Sequence, residues 1–533
     1  MADSARVQDH PRFRRGWLVA LPVIFYIALC AVMFVRIRAA NDHQFFFALD
    51  DPYIHLALAN SIRHGHYGIN AAESASPSSS ILWPLLLVPF AGKEWAPMWA
   101  LALNVIAGLF AAAVLGFAVT AWPASDAQRD EAVRRFLSVV FLVFIGNLVG
   151  LTFLGMEHTL QVLLAALVAL GVIRCLQHRN VPWWALAAAA VGPAVRYESL
   201  GLSLALAVAL FGRDQRRLAG WLLAASVAAP IAFSVFLVHL GLPPLPTSVL
   251  IKGGVHGASA GALSHLLLLF TTTLKQILVP DHSILVVLFL TLVGLAWVER
   301  DRARRFALAG AALAAGLHLA VGRFGWFHRY EVYVVLFSAL IVLYVLHERR
   351  RMLLGWYVLG LLACAGPYIE AWRTIIEGTR DTYLLQYQMH RFADSFYTGN
   401  VAINDLGLVS YYRHPDQYVL DLVGLGSAEA AREQDKTPAW LDAITREHDI
   451  GAVMIFRSWF PDVPSDWTRV GAICLVHAPV MLPDSCVQFY ATPLESSEDL
   501  SRRFSAFAKT LPEGVVPIGP EDRDQTALVK QYR

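Results

Sequence analysis

Long apolar runs separated by short polar connections set the pattern of this chain. The first extends from Trp17 to about Val35. Others cover roughly 97–121, 136–154, 158–176, 182–196, 198–212, 218–240, 282–298, 304–321, 331–347 and 353–371. Crossing a bilayer core takes about 20 apolar residues, so the pattern predicts a polytopic α-helical membrane protein with about eleven transmembrane helices. The two short runs at 182–212 set a margin of about two on that count. Ile81–Phe90 is apolar too, but it is short and interrupted by Pro84 and Pro89, which predicts an interfacial or re-entrant segment.

The charges between the runs alternate in kind. Arg12, Arg14 and Arg15 precede the first run. Basic clusters then recur at Arg129/Arg134/Arg135, Arg174/His178/Arg179, Arg213/Arg216/Arg217, Arg300/Arg302/Arg304/Arg305 and Arg349/Arg350/Arg351. With about eleven spans all of them fall on one side, the cytoplasmic one. Residues 1–16 are then a cytoplasmic N-terminus and the first run a signal anchor. The run is too long for the apolar core of a signal peptide, and Arg36 and Arg38 suit a cleavage site poorly.

The remaining connections face outward, and the unusual polar groups collect there. A first outer loop, 39–80, carries Asp50-Asp51, His55, His64, His66 and Glu73. Glu157-His158, Arg196-Tyr197-Glu198, a second loop at 241–264 with Lys252, and the stretch from Arg323 to Glu331 follow. Ionisable groups at span ends are costly and mark functional candidates. Singly each reads equally well as an interfacial residue; five such positions on one face form a site.

Residues 17–371 are thus the membrane domain, and 372–533 change character. Short strands are expected at Val401–Ile403, Tyr418–Leu420 and Ala452–Phe456, a helix at 438–448, and loops at the Pro-rich 461–464 and 511–520. Together these predict a small C-terminal extracytoplasmic α/β domain. Composition agrees with the membrane assignment: the 533 residues are 56% hydrophobic and 16% charged, against about 25% charged in soluble domains. The net charge of +2 says nothing about nucleic acid, but the absence of a Lys/Arg tail or an aromatic-basic alternation argues against nucleic-acid work. None of the five cysteines forms a CxxC pair, so no zinc or thioredoxin-like motif is present; Cys30, Cys175 and Cys364 sit in apolar runs. Cys474 and Cys486 bracket Pro483-Asp484-Ser485 and are placed to close a hairpin-like loop by a disulfide in an oxidising compartment.

The Asp50-Asp51 pair opens an amphipathic helix. Asp51 is the expected N-cap and Pro52 the first helical residue, with Ile54, Leu58 and Ile62 on one stripe. Asp50 is then left to face a cavity, and two adjacent carboxylates raise each other's pKa. The plainer alternative is a capping Asp51 beside a solvated Asp50.

These motifs, in this order, resemble the bacterial GT-C fold glycosyltransferases that use polyprenyl-phosphate sugars, and especially the arabinofuranosyltransferase-like branch. The resemblance covers roughly residues 10–425. It rests on Asp50-Asp51, Ser76-Pro77, Leu82-Trp83-Pro84, Gly155-Met156-Glu157, Arg196-Tyr197-Glu198 (Tyr where relatives carry Pro), Pro243-Pro244-Leu245-Pro246 with Lys252, and Arg329-Tyr330. It continues into Asn404-Asp405-Leu406-Gly407 and Asp421-Leu422-Val423-Gly424-Leu425.

The resemblance implies a bacterial inner-membrane, inverting glycosyltransferase acting on the outer, periplasmic face. Its partners would be membrane lipids, a polyprenyl-phosphate sugar donor, and a glycan or glycolipid acceptor of the cell envelope. Asp50, with Asp51 second, is the expected base, and Arg196, Lys252, Arg329, Arg323 and His328 are expected at the donor phosphate. His55, Glu73, His158 and Tyr330 are supporting candidates, and Glu157 and Glu198 are the expected partners that hold the basic residues in position. Asp50, Asp51 and Glu73 are of the ligand type that holds Mg²⁺, Mn²⁺ or Ca²⁺, and metal-dependent and metal-independent chemistry both stay open. Two other readings stand beside this one. One is a transporter or flippase of lipid-linked sugar, although no inverted repeat is evident. The other is an oligosaccharide ligase using a diphosphate donor.

Overall fold

The computed structural model describes residues 16–122, 128–177, 180–253, 271, 275–349, 351–414, 416–480, 482 and 484–521. Residues 1–15, with Arg12, Arg14 and Arg15, and residues 254–264 of the second outer loop lie outside the described residues. The chain forms a helical bundle followed by a small mixed-sheet domain.

Seven helices among the described residues are long and apolar enough to cross a membrane: Trp17–Ala40, Ala96–Thr120, Arg135–Phe153, His158–Gln177, Arg216–His239, Pro280–Val298 and Arg302–Val321. Three apolar helices are shorter, Trp183–Val195, Tyr197–Gly212 and Val332–His347. The eleventh expected run, 353–371, splits into Arg351–Ala363 and Gly366–Arg373. A count of about eleven therefore stands as seven full-length candidates plus shorter pieces. The break at residue 196 has a local cause. Arg196 adopts an extended conformation (φ −153°, ψ 135°) directly after the helix Trp183–Val195, so its side chain leaves the helical path.

The helix Val332–Arg349 is the axis of the bundle. Every residue from Glu331 to His347 is buried, as expected of a helix apolar on all sides. Small residues let neighbouring helices approach: a Cβ at Gly310 would meet the Ala205 carbonyl at 2.6 Å.

The connections sort to two ends, as the charge pattern anticipates. At one end Arg135 donates to the carbonyls of Val119, Thr120 and Trp122, Arg213 to Leu176, and Gln177 to Ala121, while Arg302 pairs with Asp214 at 3.1 Å. The helix His158–Gln177 carries Gln177 there and His158 at the other end, about 30 Å away for 20 residues.

The tail domain holds six strands: β1 (Val401–Ile403), β2 (Val419–Asp421), β3 (Ala452–Ile455), β4 (Thr468–Leu475), β5 (Cys486–Ala491) and β6 (Val515–Ile518). Their order is β2-β1-β3-β5-β4-β6, with β2-β1-β3 parallel and the rest antiparallel. The first three strands and the helix Pro438–Glu447 fall where the sequence places them. β6 corrects the reading of 511–520 as loop. Pro517 is tolerated because β6 is an edge strand paired only to β4. Cys474 and Cys486 are direct partners on β4 and β5 and are joined by a disulfide.

The first outer loop is stitched to this domain. Glu73 accepts from Tyr418 Oη (2.8 Å) and Ala428 N (2.5 Å), Asn70 donates to Val419 O, and Arg413 donates to Ile69 O and Asn70 Oδ1. Ile81–Phe90 is a short helix, Leu82–Leu87, and one further turn, too short to cross.

Candidate active site

A cavity of about 270 Å³ lies between the bundle and the tail domain. Its walls are the start of the helix Asp51–Arg63, the loop from Arg323 to Tyr330, the helix Ile375–Leu384, and the loops leaving β1 and β2. Loops at the carboxyl ends of parallel strands are where open α/β sheets hold ligands.

The loop before the axial helix is unusual. Gly325, Trp326, Phe327 and His328 are consecutive residues with positive φ (90°, 51°, 62° and 56°). Non-glycine residues in that region cost about 1–3 kcal/mol each and collect at functional sites. Here the turn buries Phe327 and leaves Trp326 39% exposed on the cavity wall, with Arg329 and Tyr330 at the buried helix entrance.

Three guanidinium groups surround the Tyr330 ring, Arg329 at 4.8 Å, Arg196 at 5.2 Å and Arg323 at 5.6 Å from its centroid. Their counter-charges differ. Arg329, 2% exposed, donates to Asp51 Oδ2 (2.5 Å), Tyr330 Oη (2.8 Å) and Met156 Sδ (2.9 Å). Arg196 is held between Glu157 (2.8 Å) and Glu198 (2.8 Å) and also donates to His158 Nε2 (3.1 Å). Arg323 is half-buried, lines the cavity and enters no salt bridge among the described residues.

The expected phosphate group is therefore only partly gathered. Arg323 and Arg329 reach the cavity. Arg196 stands behind Tyr330, clamped by two carboxylates, and does not line it. His328 pairs with Glu331 at 2.6 Å and stacks on Tyr368, away from the cavity. Lys252 lies in the short helix Thr247–Gly253, and its side chain is outside the described residues; the preceding Ile251 reaches the wall. His55 sits deeper, with Nδ1 3.1 Å from Ser78 Oγ and Nε2 3.6 Å from Glu157.

The Asp pair also differs from expectation. The helix begins at Asp51, no side chain caps it, and Asp51 instead orients Arg329. Asp50 is not free: its carboxylate accepts from Gly407 N (2.5 Å) and Leu408 N (2.8 Å) in the tail domain. Its carboxyl partner is Asp405, which accepts from Gln386 (2.9 Å) and lines the cavity. Burial pushes both carboxyls up, and for Asp405 the charge of Asp50 adds to it; Asp51 contributes less. The like-charge pair is thus Asp50–Asp405, formed across the domain boundary.

Gly407 is required by this contact. A Cβ there would lie 2.1 Å from the Asp50 carbonyl and 2.6 Å from its carboxylate. Gly407→Ala is expected to loosen the docking at a cost of about 1–3 kcal/mol, detectable as faster limited proteolysis at the domain junction.

Other carboxylates stiffen the walls. Asp381 accepts from His477 (2.7 Å) and Val480 N (2.8 Å), and Asp421 from Val423 N and Gly426 N. Of the carboxylates weighed as metal ligands, Glu73 is bound to Tyr418 and Ala428, Asp50 to backbone N–H groups and Asp51 to Arg329. Among the described residues no group of three His, Cys, Asp or Glu is arranged as ligands. Asp405, Asp381, Gln386, Trp326 and Trp459 were not assigned to the site from sequence, although Asp405 stands in the Asn-Asp-Leu-Gly motif.

Fold and site together define a polytopic membrane protein whose cavity is completed by its tail domain. A family model described as a domain of unknown function (DUF8728) matches residues 375–490. No curated protein matches the chain. Similar solved structures include the ArnT of Cupriavidus metallidurans bound to undecaprenyl phosphate and the same protein in the apo state. The first is 14% identical, with 90% of this chain and 99% of that chain covered, at a TM-score of 0.47; the second is 13% identical, with 92% and 99% covered, at 0.47.

Proposed function

We propose that the protein is an inner-membrane, inverting glycosyltransferase that moves a sugar from a polyprenyl-phosphate carrier to a cell-envelope glycan or glycolipid on the periplasmic face. The observation that carries this reading is the pairing, in one cavity at the end of the bundle, of Arg323 and Arg329 with the Asp50–Asp405 carboxyl pair. An anionic leaving group needs fixed cations, and an acceptor hydroxyl needs a base. The disulfide in the tail domain supports an oxidising, extracytoplasmic location.

In the reaction the acceptor oxygen attacks the anomeric carbon as the bond from that carbon to the phosphate oxygen breaks. The electron pair leaves with the phosphate, whose charge falls on Arg323 and Arg329. The acceptor proton passes to Asp405, which shares it with Asp50. Asp51 holds Arg329 in place, and Glu157 and Glu198 do the same for Arg196. A single displacement inverts the anomeric centre, through an oxocarbenium-like transition state.

The test is lipid retention. Native mass spectrometry of the protein released from nanodiscs should find one undecaprenyl phosphate bound, and Arg323→Ala should weaken retention about tenfold. Equal retention by the variant would remove Arg323 from the phosphate site.

A further inference from the structure

A second concavity in the tail domain is unused by this mechanism. It is an open groove of about 690 Å³ between the chain at 434–438 and the turn at 459–462, and it shares Ile251, Val423 and Trp459 with the catalytic cavity. Trp459 stands where the two meet, 43% exposed. Its backbone is fixed although its indole is not covered: Trp459 N donates to Phe456 O, Phe460 N to Arg457 O, and Ser458 N to Asp484 Oδ2 at 2.7 Å. An exposed tryptophan on a rigid turn offers a flat apolar face at little entropic cost on binding.

The polar groups of the groove define what suits it. The carboxylates of Asp435 and Asp462 and the amide of Gln434 are exposed and have no intramolecular partner among the described residues. Lys436, the one cation among the groove-lining residues, is taken: its ammonium donates to the carbonyls of Leu422, Val423 and Ala430. Burial also brings its pKa down to about 8. Among the described residues the groove therefore presents free acceptors and no free cation, which suits hydroxyl donors rather than phosphates. A neutral sugar has both features required, hydroxyls for the carboxylates and a C–H face for the indole.

We propose that this groove is an acceptor subsite that binds the sugar units of a neutral saccharide, adjacent to the unit that receives the new sugar. The proposal deepens the transferase reading and rests on it for the word acceptor; saccharide binding itself is tested separately. Trp459 stacks on a pyranose or furanose ring, and Asp435 and Asp462 accept from its hydroxyls.

The test uses the full chain in nanodiscs and isothermal titration with neutral arabinan, mannan, galactan and glucan oligosaccharides at millimolar concentration. At least one should bind, Trp459→Ala should weaken it about tenfold, and Trp459→Phe should recover most of the loss. Asp435→Asn combined with Asp462→Asn should weaken it several-fold. Binding of none of these sugars by the wild type, or equal binding by Trp459→Ala in protein with an unchanged melting profile, would overturn the proposal. Undecaprenyl phosphate retention by the wild type, measured in parallel, reports on the transferase reading alone. Trp459-dependent saccharide binding without lipid retention would keep the groove as a saccharide site and remove the transferase.

Discussion

Arg329→Gln is expected to lower release of the carrier phosphate by about 10²–10³-fold, the usual effect of removing one group that stabilises developing negative charge. The side chain has three contacts, to Asp51, Tyr330 and Met156, and sits where the strained turn enters the buried axial helix. Losing it removes the 2.5 Å pairing with the Asp51 carboxylate. Breaking a fully buried pair costs about 3–5 kcal/mol, and the cost here should be smaller because the Asp51 side chain is 23% exposed. Arg329→Lys should rescue little, because one ammonium cannot replace two nitrogens, Nη1 on Met156 and Nη2 on Asp51 and Tyr330. Turnover of each variant should therefore be read beside its melting temperature. A lysine variant with wild-type turnover would reduce Arg329 to a simple counter-charge for Asp51.

Asp405→Asn is expected to lower turnover by about 10²–10⁴-fold with the protein still folded, since it removes the proton acceptor that faces the cavity. Asp50→Asn should do similar harm by two routes, loss of the shared proton site and weaker acceptance from Gly407 and Leu408. The pair also fixes a pH dependence. Burial holds the carboxyl pKa values above the ordinary range near 4, so the pair keeps a proton at pH values where an exposed carboxylate has lost it. A base must be free of its proton, so turnover should fall as pH drops through that raised range. An acid limb at ordinary carboxylate pH would place the base elsewhere.

The hydrophobic pattern made the bundle legible, because apolar run length and alternating basic clusters report directly on spans and their ends. The convergence of Asp51, Glu157, Arg196 and Arg329 followed from the same alternation. What the pattern could not carry was contact between distant segments. Asp50 meets Gly407, 357 positions away, and nothing local to either residue records that. Reading the Asp pair by its neighbours favoured Asp51 as its electrostatic partner, whereas tertiary packing supplies Asp405 instead and gives Asp51 to Arg329. The turn at 326–328 was equally hidden, because Trp, Phe and His are not residues that ordinarily signal positive φ. Arg196 was legible as a cation at a span end, and Glu157 and Glu198 as carboxylates that hold the basic residues; which cation they hold is set by packing, which brings both to Arg196, Glu157 from a different span. β6 was missed because Pro517 argues against a strand unless its edge position is known.

Sugar transfer from a lipid phosphate, as proposed for this cavity, can be measured directly. The most direct measurement is release of polyprenyl phosphate by the wild-type protein in nanodiscs. It would be supplied with a panel of polyprenyl-phosphate pentoses and hexoses and a membrane glycan extract, with and without EDTA. Acceptor-dependent release from at least one donor, abolished by Asp405→Asn, is the predicted result. Donor that is bound, or moved across the bilayer, but never cleaved with any acceptor would contradict the account and place a carrier of lipid-linked sugar in its stead.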